Sequence, residues 1–108
     1  MGKYVMVVQS NALEGQDGAY NDWYDGIHFQ DICDIPGVKS GRRFEATPIA
    51  MGPPGQPYLS IFEIETDDPS AVMAELGQRA ADGRMRQSEA LDPNSLSLWF
   101  YQQREMPG

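Results

Sequence analysis

The sequence predicts a small α+β domain in which two helices lie on one face of a four-stranded antiparallel sheet. Three observations predict it. Four short segments are rich in β-branched, aromatic and other apolar residues. Two longer segments carry apolar residues at helical spacing. Proline and glycine signals separate them in the order β-α-β-β-α-β.

Each element follows from its own residues. Lys3 to Gln9 is a short apolar run of the kind a buried strand needs. Asp17 to Ile35 is a helix: stepping about 100° per residue from Tyr20 puts Trp23, Tyr24, Ile27 and Ile35 in one band about 120° wide. Pro36-Gly37 stops it. Val38 to Thr47 is the second strand, and the Pro/Gly-rich stretch from Pro48 to Pro57 is a loop. Tyr58 to Thr66 is the third strand. Asp68-Pro69 then supplies an N-cap and a proline at the first helical position. The helix it opens carries Val72, Met73, Leu76 and Ala80 on one face and ends at Gly83. Ser95 to Gln102 closes the order as the fourth strand, and the whole is the ferredoxin-like arrangement.

A chain of 108 residues, taken as one domain over 1–108, has room for a thin but real core. Sixteen acidic against eight basic residues give a net charge of −8, which opposes nucleic acid and anionic membranes as partners. No apolar run approaches the roughly 20 residues a membrane span needs. Met1 to Gln9 reads as a strand and not as a signal peptide. The single cysteine, Cys33, has no partner for an internal disulfide, so the expected setting is reducing and cytoplasmic.

Strands one and four are apolar on both faces. Tyr4, Met6 and Val8 alternate with Val5 and Val7, and Leu96, Leu98 and Phe100 alternate with Trp99 and Tyr101. Two helices cover only one face of such a sheet. A second copy of the same sheet would cover the other, so a homodimer packed sheet to sheet is expected.

The first helix holds the residues with chemistry. On the same wheel Asp31 falls inside the apolar band and His28 at its edge, three residues away and within reach. A carboxylate on a buried stripe costs several kcal/mol unless it is paired. A His28–Asp31 pair beside Tyr24 fits a proton shuttle, in which the carboxylate orients the imidazole and Tyr24 donates a hydrogen bond. The alternative is that His28 and Asp31 merely satisfy each other in the core. Tyr20, Trp23 and Ile27 line the same face, as core or as substrate contacts, and Asp22 and Asp25 fall on the solvated side. Arg42 and Arg43 alternate across strand two, so one faces the helices, where it would bind a carboxylate or enolate or form a structural salt bridge. With one His and one Cys, a metal site would have only carboxylates left, and none is expected. Cys33 lies away from the stripe and has no His to activate it. Gly52-Pro53-Pro54-Gly55 is a turn and not a phosphate loop, within a loop long enough to cover a cleft. Met51 and Met85 read as packing residues.

The run Tyr20-Asn21-Asp22-Trp23-Tyr24-Asp25-Gly26-Ile27-His28-Phe29-Gln30-Asp31, followed by Ile35-Pro36-Gly37-Val38 and Arg42-Arg43-Phe44, resembles the EthD-type branch of the dimeric α/β-barrel superfamily. That branch carries a Trp-Tyr or Tyr-Tyr pair, a His four residues after the second aromatic, and Pro-Gly-Val opening the next strand. Many relatives have proline two residues after the His, where this chain has Gln30. The resemblance implies a dimer whose sheets form a barrel, with a cleft in each subunit into which His28 points and Tyr24 and Asp31 as its neighbours. Relatives include cofactor-free cyclases and isomerases, oxygenases acting through substrate carbanions, and proteins without an assigned role.

Two functions follow. One is a cofactor-free enzyme of isomerase, cyclase or lyase type, acting on a small aromatic, lactone or carbonyl-bearing substrate. His28 would move a proton, with Asp31, Tyr24 and an arginine in support. The other is a binding module in which the cleft holds a hydrophobic ligand, or a haem through His28, without turnover.

Overall fold

A computed structural model of the chain describes residues 2–107. The elements are β1 (Gly2–Ser10), a helical run of α1 (Asp17–Trp23), a π turn (Tyr24–His28) and α2 (Phe29–Cys33), then β2 (Val38–Glu45), β3 (Tyr58–Thr66), α3 (Pro69–Asp82), a 3-10 turn (Pro93–Ser95) and β4 (Ser97–Gln102). The sheet order is β2-β3-β1-β4, antiparallel throughout. The β-α-β-β-α-β order is therefore the observed one, and β3 has the predicted limits. Among the described residues no helix is long and apolar enough to cross a membrane.

Register places the core. Met6 stands opposite Phe62 on one side and Phe100 on the other, and Val8 opposite Ser60 and Leu98. Met6, Val8, Phe62 and Ile64 face the helices, where Ile32, Ile35, Val72 and Met85 close over them. Asp68 caps α3 through its carboxylate, which accepts the Ser70 N–H at 3.0 Å, and Gly83 ends the helix in the left-handed conformation, φ 86°. Met73, expected on the buried face of this helix, is 41% exposed on its flank.

The first helix departs from the prediction in an informative way. It ends at Cys33, with Asp34 as its cap, and Gly37 at φ 98° turns the chain into β2. Within it, the Phe29 N–H donates to the Tyr24 carbonyl five residues back, the mark of a π turn. The extra residue sets the later part of the helix back by about one position of a regular α-helix wheel. Ile32, off the predicted stripe, becomes fully buried, and Cys33 packs against the core instead of facing away.

The other sheet face carries Val5, Val7, Leu59, Ile61, Arg42, Phe44, Trp99 and Tyr101 by strand alternation and register. No element among the described residues covers it, and Trp99 is 65% and Tyr101 53% exposed.

Gly41 fixes how closely β2 approaches the first helix. A Cβ there would meet the Phe62 ring at 2.5 Å and the Phe29 ring at 3.0 Å. The two rings themselves lie 5.5 Å apart between sheet and helix. Gly41→Ala is expected to destabilise the protein by about 1–3 kcal/mol through overpacking. Urea denaturation would show this as a lower midpoint with an unchanged slope.

Candidate functional site

The helical run lays its aromatic side chains between the sheet and a cavity of about 130 Å³. Val8, Ser10 and Leu98 form the floor of the cavity, Trp23, Tyr24, His28 and Ile32 one wall, Leu76 and Ala80 another, and Met85, Gln87 and Leu91 the segment that closes it. Ser10, Gln87 and His28 are the polar side chains among these, with the polar tips of Trp23 and Tyr24, and Ser10 is already bonded to the Tyr20 hydroxyl at 2.6 Å.

His28 is held by rings. Trp23 stacks on its imidazole at 4.4 Å and 20°, and Tyr24 meets it edge-on at 4.8 Å and 89°. Nδ1 is buried without a hydrogen-bond partner. Burial pushes the imidazole pKa down to about 4, against an upward pull from Asp31 and with a smaller downward push from Arg43. At neutral pH the ring is uncharged. Burial likewise pushes the Tyr24 hydroxyl up to about 12, with Ser60 and Arg43 easing the shift, so Tyr24 stays protonated.

Asp31 is not the partner of His28. Its Oδ1 accepts from Arg86 Nη2 at 2.8 Å, and its Oδ2 accepts from Arg86 Nε at 3.2 Å and from the Arg86 N–H at 3.1 Å. These bonds hold its carboxyl below the usual carboxylate range. The π turn ends at His28, so His28 and Asp31 keep ordinary α-helical spacing, and it is Arg86 from outside the helix that takes the carboxylate. Asp31 acts on His28 only through space.

The arginines separate as strand alternation requires. Arg42 lies on the outer face beside Phe44, and Arg43 faces the helices. Arg43 bonds Asp25 at 2.6 Å and Asn21 at 3.1 Å, and its guanidinium lies 4.1 Å over the Tyr24 ring. It is thus a brace behind Tyr24 and lines no part of the cavity, and Asp25, expected to be merely solvated, is its ion partner. Tyr20 is fully buried core, and Ile27 packs against the same aromatic cluster outside the cavity wall. Trp23 lines the cavity, as does Met85. The loop around Gly52 to Gly55 does not reach the cavity, and Met51 on it is fully exposed.

Arg86, Gln87 and Leu91 were missed by sequence reasoning. They lie between α3 and β4 in a segment without hydrophobic period. The one available signal was the buried Asp31, which required a cation from somewhere in the chain.

No family model matches the chain, and no curated protein matches it by sequence. Solved structures do match in fold. An EthD family protein from Bacillus halodurans C-125 superposes with a TM-score of 0.64 at 16% identity, covering 96% of this chain and all (100%) of that one. A candidate monooxygenase from Shewanella loihica PV-4 gives 0.64 at 13% identity, over 97% of each chain. A variant of MhuD with two manganese protoporphyrin IX groups bound per active site gives 0.62 at 14%, over 97% of this chain and 98% of that one.

The fold is the ferredoxin-like one that these solved structures share. Within that fold the cavity lies between the helices and the sheet of one subunit, beside the helix that carried the EthD-type resemblance.

The neutral His28 has a thermodynamic signature. The unfolded chain takes up a proton on histidine as pH falls through about 6.5, whereas the folded chain resists until about 4. Stability is therefore unaffected above that window and lost as pH drops through it, by roughly 3 kcal/mol. The His28→Phe variant is expected to lack this loss. Urea midpoints at a series of pH values from neutral to mildly acid would show the wild type falling and the variant nearly flat.

Proposed function

We propose that the protein is a cofactor-independent enzyme of isomerase, cyclase or lyase type, with His28 as the base that removes and returns a proton. The supporting observation is the uncharged, unpaired imidazole in the wall of an apolar cavity. A cavity of about 130 Å³ suits a ligand the size of one small ring, comparable to the roughly 150 Å³ cavities that accept benzene.

The charges around the cavity narrow the substrate class. Arg43 and Arg86 are both bound to carboxylates, and among the described residues no Lys or Arg lines the cavity. The substrate is a neutral molecule, aromatic or bearing a lactone or ketone carbonyl. An imidazole with a pKa near 4 is a weak base, so the C–H it attacks must be acidified by an adjacent carbonyl and a second unsaturated group. Desolvation in the closed cavity strengthens the interaction between the developing imidazolium and the enolate. Tyr24 and Trp23 hold the ring in place, and Asp31 favours its protonated form from a distance.

A porphyrin is far larger than a cavity of about 130 Å³, which argues against a fit of that group at His28.

We further read the protein as a cytoplasmic homodimer. The outer sheet face, with Val5, Val7 and Ile61 on its central strands and the exposed Trp99 and Tyr101 on the edge strand β4, is a largely apolar surface of the kind that marks an interface. A second copy would meet it as an isologous pair.

Two experiments test these readings. α-Angelica lactone is a small neutral lactone whose acidified proton can move from the carbon between carbonyl and double bond to the far end of that double bond. The wild type is expected to accelerate this isomerisation, and His28→Gln to lower the rate by about 10²–10⁴-fold. Equal rates for the two proteins would remove His28 from the chemistry. For the assembly, sedimentation should give a dimer for the wild type and a monomer for Trp99→Glu.

A further inference from the structure

Between α3 and β4 the chain runs from Gly83 to Leu91 as a strap without helix or strand of its own length. It supplies Met85, Gln87 and Leu91 to the cavity wall. Both ends are tied down. The Met85 N–H donates to the Arg79 carbonyl, the Leu13 N–H donates to the Ala90 carbonyl, and Leu91 bridges Ala12.

Between these anchors, among the described residues, the ties from strap to first helix all run through Arg86. Its guanidinium and its backbone N–H grip the Asp31 carboxylate, and its carbonyl accepts from Trp23 Nε1 at 3.1 Å. Trp23 and Asp31 bracket His28 on the helix, and Trp23 is the ring stacked on it. One residue of the strap therefore closes the cavity and fixes the indole that orients the imidazole.

We propose that the strap is the gate of this cavity, that the Arg86–Asp31 pair is its latch, and that Arg86 is a positioning residue acting on His28 through Trp23. The Asp31 side chain is 10% exposed and that of Arg86 is 60% exposed, so the guanidinium can release into water while the helix stays in place. The exposed guanidinium regains water when it lets go, whereas the buried Asp31 carboxylate loses its partner, so the closed strap is favoured and the open one is a minor state. The assignment of ligand entry to this gate rests on the reading that the cavity takes a small neutral molecule.

The test needs a readout that does not depend on turnover. The chain has two tryptophans, so Trp99→Phe leaves Trp23 as the only indole. In that background, acrylamide quenching of Trp23 is expected to rise roughly fivefold in Arg86→Gln. Asp31→Asn should match it, the double variant should add nothing further, and Arg86→Lys should restore part of the protection. Phenol, followed by Trp23 emission, should bind faster and release faster in Arg86→Gln. Arg86 is exposed and its variant is expected to melt cooperatively, so it decides the matter even if Asp31→Asn fails to fold. Unchanged quenching in a folded Arg86→Gln protein would overturn the latch. Raised quenching with no phenol binding by either protein would support the latch and overturn the small-ligand reading instead.

Discussion

One extra residue in the first helix governs the site. The bond from the Phe29 N–H to the Tyr24 carbonyl opens a π turn over Tyr24–His28. Before it, Tyr20, Trp23 and Tyr24 face inward; after it, the inward residues are Ile32 and, at its end, Ile35. The turn rotates the residues after it relative to those before it and seats His28 between two rings; beyond it the helix is regular, and Asp31 is bound by Arg86. π turns cost backbone hydrogen-bond quality and recur where a side chain must be aimed. Here the side chain aimed is the only histidine of the chain.

The electrostatics follow from that placement. Eight cations serve sixteen anions in this protein, and the two arginines nearest the cavity are each bound to a carboxylate. What remains around His28 is mainly aromatic and aliphatic, so the loss of water outweighs the pull of Asp31 and the ring stays neutral. Arg43 contributes indirectly. It braces the Tyr24 ring from behind, and Tyr24 in turn fixes the edge of His28. The same lack of a charged side chain in the cavity lining is what the proposal of a neutral substrate rests on.

The fold was legible because its signals are local. Asp68-Pro69, Gly83 and Pro36-Gly37 mark helix ends by capping and backbone geometry alone, and strand alternation separates Arg42 from Arg43. Which of the two arginines faces the helices depends on register with β3, which pairs Arg43 with Ser60, and no single strand encodes that. The cavity was only half legible. Trp23, Tyr24 and His28 share one short segment and were found, whereas Arg86 meets Asp31 across 55 positions of sequence. A buried carboxylate announces that a partner is needed but not which one. The His28–Asp31 pairing is absent because Arg86, distant in sequence, occupies both carboxylate oxygens, and a helical wheel carries no information on such a partner.

The central claim is that the only histidine sits uncharged and desolvated against Trp23 and Tyr24. Because the chain has one histidine, its proton NMR spectrum carries a single imidazole Cε1–H signal, which can be followed from neutral to acid pH without assignment. The account predicts a titration midpoint near 4 and a resonance shifted by the stacked indole. A midpoint near the ordinary histidine value of about 6.5 would show a hydrated ring and contradict the account.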